Sequence, residues 1–306
     1  MYIDGTWTPP EEAKVLLEKK GGWASTTGAR FRSVAVVKDI LPADIYLFKD
    51  SDDGKYFEKQ EFPTDEAIRL PGLPCDYIID QINEFWKKGD VYKKYGMVHK
   101  RGILLYGPPG CGKTSIVRLL CDDLIRKNGV IFSITDFELA ADFISEFRRT
   151  EPERPILTIQ EDIEGLFEGK EGSDQVKAAL SFLDGQAQVN NIVHIATTNQ
   201  PELLADRFIK RPGRFDLVIG IHEPTTETRE AYLKHVCRNA VPENKLIELV
   251  QKTEGLGLAY LREVAATSLC LDIPIEETLI RLRANIKTKV LKTDTKKFGF
   301  TIGYDE

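Results

Sequence analysis

Long apolar runs are missing: nowhere in the 306 residues is there a stretch of about 18 apolar positions, the length a membrane-spanning helix needs. The start lacks the basic segment and short apolar stretch of a secretory leader. Cysteine is scarce. Cys75, Cys111, Cys121, Cys237 and Cys270 are scattered, odd in number and form no C-x-x-C pair. That usage fits a reducing cytosol better than a disulfide or zinc framework. Positive charge is in deficit, with 42 Lys and Arg against 48 Asp and Glu and a net charge of −6. The balance argues against a general nucleic-acid surface. Internal repeats and low-complexity segments are also absent. These absences lead to the expectation of a cytoplasmic globular protein without a membrane anchor.

What is present centres on Gly107-Pro108-Pro109-Gly110-Cys111-Gly112-Lys113-Thr114-Ser115. An apolar run over 102–106 precedes it and a helical pattern over 115–125 follows. A strand that stops at a Gly-rich turn and restarts as a helix presents consecutive backbone N–H groups at the helix N-terminus. Unpaired donors and helix dipole together favour phosphate there. Lys113 is expected to reach the β- and γ-phosphates of a nucleoside triphosphate, and the Thr114 hydroxyl to hold Mg²⁺.

Along the chain, Thr8, Pro9 and Glu11 read as the capped start of a short helix that Gly21-Gly22 ends. Strand patterns follow at 33–37, 44–49 and 55–62, giving a small β-rich N-terminal module over residues 1–70. Leu70-Pro71-Gly72-Leu73-Pro74 reads as a linker. A helical pattern over 76–88 carries Ile79, Ile82, Phe85 and Trp86 on one face, as core positions do. Beyond the phosphate loop, strands are predicted at 130–134, 155–160 and 191–197, with helical patterns between them. Such alternation predicts an α/β core with a parallel sheet covered on both faces, over residues 71–223. From 224 to 306 the patterns are helical, at 229–238, 243–253, 259–271 and 275–286, and a basic stretch runs from Lys287 to Lys297.

Chemically distinct groups gather at predicted strand ends. Glu161-Asp162 follow the third strand directly, where ligands bind in open parallel sheets. One carboxylate would hold the water shell of Mg²⁺ and the other would polarise an attacking water. Asn199 closes the next strand and can orient that water or contact the γ-phosphate; the same residue is also a common turn-former before a proline such as Pro201. Arg211-Pro212-Gly213-Arg214-Phe215-Asp216 places two arginines around a Pro-Gly turn, suited to presenting guanidinium groups at an edge or to an ordinary exposed turn.

These residues carry a family resemblance. The run R-G-I-L-L-Y-G-P-P-G-C-G-K-T-S, then E-D-I-E, T-T-N and R-P-G-R-F-D, resembles the AAA+ ATPases over about residues 76–223, extending more weakly to 271. Within them the chain most resembles the mitochondrial Rieske-protein translocase group, through the acid order Glu161-Asp162 and the run Leu180-Ser181-Phe182-Leu183-Asp184-Gly185. The resemblance implies a P-loop NTPase core with Walker A and Walker B motifs and a C-terminal helical lid over 224–306. It implies that Glu161 is the Mg²⁺-water ligand, Asp162 stands where the catalytic glutamate sits, Asn199 is the sensor 1 residue, and Arg211 and Arg214 are the arginine fingers acting on a neighbouring subunit. ATP and Mg²⁺ are the implied cofactors, and a hexameric or heptameric homo-oligomeric ring is the implied assembly.

Departures from the family pattern are visible too. Gln160 puts an amide where the family has an apolar residue, and Asp162 is one methylene shorter than the usual base. Gly255-Leu256-Gly257-Leu258-Ala259-Tyr260-Leu261-Arg262 replaces the usual lid motif; Arg262 is a sensor 2 candidate but reads more simply as a surface arginine. Residues 133–149 lack the aromatic-apolar-Gly trio of threading rings, and Phe143-Ile144 read as one face of a helix. The expected function is ATP hydrolysis at ring interfaces to remodel or translocate a macromolecule, a protein in preference to nucleic acid. A loader acting on nucleic acid and a slowly hydrolysing, ATP-gated scaffold are the alternatives. A small-molecule kinase fits least, since it has no use for the arginine pair.

Overall fold

Three strands form the buried centre of a sheet. β9 (Ile156–Gln160) and β10 (Ile192–Thr198) are buried at nearly every position and β7 (Lys100–Tyr106) from Gly102 to Leu105, as strands covered on both faces are. They belong to a nine-stranded sheet in the computed structural model, which describes residues 2–3, 6–7, 22–25, 30–34, 40–51, 54–61, 67–167, 172–184, 189–211, 213–238 and 241–284. The other strands are β3 (Gly22–Ser25), β4 (Arg30–Val34), β5 (Ile45–Ser51), β6 (Gly54–Lys59), β8 (Val130–Ser133) and β11 (Leu217–Gly220), in spatial order β11-β7-β10-β9-β8-β5-β6-β4-β3. A separate two-residue ribbon pairs β1 (Tyr2–Ile3) with β2 (Thr6–Trp7). Pairing is parallel from β11 through β5 and antiparallel beyond. The parallel α/β core expected from the alternation is therefore present.

The strands differ from expectation in two respects. The strands of the 1–70 module do not make a sheet of their own, because β5 pairs in parallel with β8 (Tyr46↔Phe132) and carries β6 and β4 with it. The cause is apolar. Phe48 of β5 and Phe57 of β6 lie 5.1 and 5.3 Å from the Phe132 ring and 5.0 and 5.3 Å from the Phe143 ring, so their faces are buried only against the core. A buried ion pair ties the same segment down. Arg154 Nη1 meets Glu151 Oε2 at 2.7 Å, and Glu151 Oε1 accepts the Leu41 N–H at 2.8 Å. The second concerns strands the sequence pattern does not mark or misplaces: β1, β2 and β3 are unforeseen, β4 starts at 30 where 33–37 was expected, and β11, Leu217-Val218-Ile219, is too short to show a period after a turn-rich stretch.

Helices cover the sheet: α1 (Cys75–Trp86), α2 (Gly89–Lys94), α3 (Lys113–Arg126), α4 (Phe137–Thr150), α5 (Gly172–Asp184) and the short α6 (Pro201–Leu204). α1 buries Ile79, Ile82, Phe85 and Trp86 as its pattern predicted, and Ile78 and Cys75 besides. α4 starts at Asp136, whose side chain accepts the Glu138 and Leu139 N–H groups at 2.8 and 3.1 Å. The C-terminal part holds α7 (Thr226–Val236), α8 (Glu243–Lys252), α9 (Leu258–Cys270) and a further α-helix over 275–284. The chain divides into two units, one of Met1–Arg69, Pro74–Pro108 and Lys113–Ile221, the other of Leu70–Leu73, Pro109–Gly112 and His222–Glu306. No helix among the described residues is long and apolar enough to cross a membrane. The expected helix near residues 8–20 and the basic stretch 287–297 lie outside the described residues.

Candidate functional site

β7 ends at Tyr106, and α3 begins at Lys113. Gly107 opens the loop between them with φ 153°, and a Cβ there would lie 2.0 Å from the Ile221 carbonyl oxygen. No side chain fits so close an approach. Lys113 is 6% exposed, and its ammonium donates to the Gly107 carbonyl at 2.8 Å, the Pro108 carbonyl at 3.0 Å and Asn199 Oδ1 at 2.6 Å. Pro108 and Pro109 are exposed, Cys111 is buried, Ser115 is half-buried, and the Gly110 carbonyl accepts the Ala259 N–H at 3.1 Å. Gly112, the last residue before α3, has φ 103°.

At the neighbouring strand ends, Thr114 Oγ1 donates to Glu161 Oε1 at 2.6 Å. These two oxygens are an all-oxygen donor set of the kind a hard divalent cation takes, so the residues fit Mg²⁺. Asp162 is exposed and left-handed, with φ 48°; its N–H donates to Thr197 Oγ1 at 3.1 Å and its Oδ1 accepts from Asn199 Nδ2 at 2.9 Å. Asn199 thus joins the Lys113 ammonium to the Asp162 carboxylate. Glu164, 8% exposed in the 3₁₀ turn Ile163–Phe167, adds a third carboxylate whose Oε1 accepts the Asn199 N–H at 2.9 Å and Nδ2–H at 3.2 Å. Neither Glu164 nor Thr197 is among the site residues expected from sequence. Glu164 was visible as the last acid of E-D-I-E, but three residues after Glu161 it carries no sign of which way a turn would point it.

The two arginines part company. Arg211 is exposed, whereas Arg214 is 3% exposed and grips Asp184 at the end of α5, with Nε and Nη2 to the two carboxylate oxygens at 2.6 and 2.7 Å. Arg214 Nη1 also donates to the Arg207 carbonyl. Hydrogen bonding to the guanidinium holds the Asp184 carboxyl below its ordinary value. The chain around Arg214 is stitched to β7: Gly102 donates to Asp216 Oδ2 at 3.1 Å, and a Cβ at Gly102 would fall 1.7 Å from the Arg214 carbonyl oxygen. The edge presentation expected for both arginines therefore fits only Arg211.

Gln160 is half-buried; its Nε2 donates weakly to the Glu161 carbonyl at 3.4 Å, and its Oε1 is buried without a partner among the described residues. Next to it, His194 and Thr158 bond at 2.8 Å, and burial pushes the imidazole down to about 3, leaving it neutral. Arg262 lies exposed on α9. Phe143 and Ile144 are fully buried on α4, as expected of a helix face. Phe143→Ala should destabilise the chain by roughly 3–5 kcal/mol in chemical denaturation. A Phe143→Ala protein of unchanged stability would instead put this ring outside the core.

Residues 103–223 match the family described as "ATPase family associated with various cellular activities (AAA)". The chain is similar to an AAA ATPase forming ring-shaped complexes from Corynebacterium diphtheriae, 29% identical over 59% of this chain and 40% of that protein. It is similar to the ATP-dependent zinc metalloprotease FtsH of Marinobacter nauticus, 32% identical over 61% of this chain and 32% of that one. It is also similar to the proteasome-activating nucleotidase of Thermococcus onnurineus, 30% identical over 68% of this chain and 56% of the relative. The matched segments span less than two thirds of each relative's length. The phosphate loop, the acids, Asn199 and the arginines all lie inside the residues that match the AAA family.

Proposed function

We propose that this chain, built around its AAA ATPase domain, hydrolyses ATP with Mg²⁺ and does so as a ring of its own copies that remodels or translocates a protein. The observation that carries the reading is the continuous set of hydrogen bonds Lys113–Asn199–Asp162 beside Thr114–Glu161, at the carboxyl ends of β7, β9 and β10. Lys113 is placed to exchange loop carbonyls for phosphate oxygens. Thr114 and Glu161 would hold Mg²⁺, which when bound neutralises charge on the β- and γ-phosphates. Asp162, held by Asn199, would accept hydrogen bonding from the attacking water and polarise it. The name of the Corynebacterium relative supports a ring, and the net charge of −6 favours a protein over a nucleic acid as the substrate. The acid order Glu161-Asp162 is the basis for placing the chain with the Rieske-protein translocase-like group. Residues 71–223 would be the ATPase unit, and 224–306 its helical lid.

Two variants separate the acids. Asp162→Asn should bind ATP with near-unaltered affinity and release phosphate about 10²-fold more slowly or worse. Glu161→Gln should instead weaken Mg²⁺-dependent binding. Fluorescent-nucleotide titration with and without Mg²⁺, beside a phosphate-release assay, checks both. The opposite pattern would reverse the two roles. Phosphate release too slow to detect in the unaltered chain would favour the ATP-gated scaffold.

A further inference from the structure

We infer that Glu164 is a positioning residue for hydrolysis: its carboxylate holds the Asn199 amide in the one orientation that serves Lys113 and Asp162 together. The inference rests on the hydrolytic reading above and adds a residue that this reading does not use.

A side-chain amide has an acceptor end and a donor end, and its neighbours decide which way it faces. At Asn199 the acceptor Oδ1 accepts a hydrogen bond from the Lys113 ammonium at 2.6 Å, a group that can only donate. The donor Nδ2 lies 2.9 Å from Asp162 Oδ1 and 3.2 Å from Glu164 Oε1, groups that accept when ionised. Rotating the amide by half a turn would set its oxygen against two carboxylates and its NH₂ against an ammonium. The arrangement therefore has a single low-energy state.

Glu164 supports that state through the backbone as well as the side chain. Its Oε1 also takes the main-chain N–H of Asn199 at 2.9 Å, so one oxygen clamps both backbone and side chain of the same residue. Glu164 is itself held in place, 8% exposed in the turn Ile163–Phe167 beside Ile163 at 1%. Asp162, the other acceptor, is exposed and stands on a left-handed residue. The fold gains little from an acid here, because Glu164 Oε2 is buried with no partner among the described residues. An unpartnered buried carboxylate oxygen is destabilising, and an apolar side chain would fill the space without that penalty. Once Lys113 turns donors toward phosphate, the two bonds from Glu164 still hold the amide. The clamp therefore matters more for turnover than for binding.

The test uses Glu164→Leu, which removes the clamp, and Glu164→Gln, which keeps an Oε1 acceptor. Phosphate release and fluorescent-nucleotide affinity are measured for the full chain. Glu164→Leu should lower kcat by about tenfold or more while affinity stays within about threefold. Glu164→Gln should recover most of that loss. In an Asn199→Ala background, Glu164→Leu should cause no further drop, since it acts through Asn199. Equal losses of kcat and affinity together with additivity in the double variant would mean a structural role only and overturn the inference. So would unchanged turnover in Glu164→Leu. An unaltered chain that releases no phosphate overturns the hydrolytic reading, and this inference with it.

Discussion

Lys113→Ala is expected to reduce ATP turnover by about 10²–10³-fold or more, with nucleotide affinity falling alongside. The ammonium is the only side-chain cation that the loop itself supplies, and it is already aimed along the loop by the Gly107 and Pro108 carbonyls at 2.8 and 3.0 Å. Bound phosphate would replace carbonyl oxygens with anionic ones around the same donor, and charge-assisted bonds of that kind are about twice as strong as neutral ones. The alanine variant loses this term in both the bound state and the transition state. As a charged loop residue, Lys113 is expected from sequence to cost little stability when removed. At 6% exposure with these hydrogen bonds, it also ties the loop to Asn199 at 2.6 Å. A stability loss of about 1–3 kcal/mol should therefore accompany the functional one. Denaturation and nucleotide titration of the same preparation separate the two losses. Undiminished phosphate release in a folded Lys113→Ala protein would remove the basis of the functional reading.

Legibility followed how far each signal lay from the residues that complete it. The strands at 102–106, 155–160 and 191–197 announced themselves because burial on both faces leaves a mostly apolar run, and the phosphate loop because its glycines and lysine sit side by side. Phe143 and Ile144 read correctly as a helix face, since their neighbours in α4 supply the period. Three features stayed hidden. Phe48 and Phe57 look like the core of a local module until Phe132 and Phe143, far along the chain, are brought against them. Arg211 and Arg214 are alike in sequence, and only the return of Asp184 to 2.6 Å from Arg214 distinguishes them. Glu164 points at Asn199 through a 3₁₀ turn and a left-handed Asp162, neither of which leaves a periodic trace.

That separation of the arginines sharpens the expectation for hydrolysis in trans. A guanidinium that stabilises charge on a neighbour's γ-phosphate must be free to leave its own chain, and Arg211 is exposed while Arg214 is committed to Asp184 and the Arg207 carbonyl. Arg214→Ala should therefore act first on stability, by about 1–3 kcal/mol for the lost charged hydrogen bonds. Its effect on turnover would then come through the displaced turn that carries Arg211. Arg211→Ala should keep the unaltered denaturation midpoint and ATP affinity and lose about 10³-fold in turnover, the scale on which an arginine finger contributes. Specific activity of the unaltered chain should rise with concentration as copies assemble. The decisive measurement mixes Arg211→Ala with Lys113→Ala, each nearly inactive alone. In a mixed ring, the Lys113→Ala subunit still offers Arg211 to an intact phosphate loop on the Arg211→Ala subunit, so phosphate release should reappear on mixing. Mixed assemblies that form and stay inactive would overturn action in trans, as would an Arg211→Ala chain with full turnover.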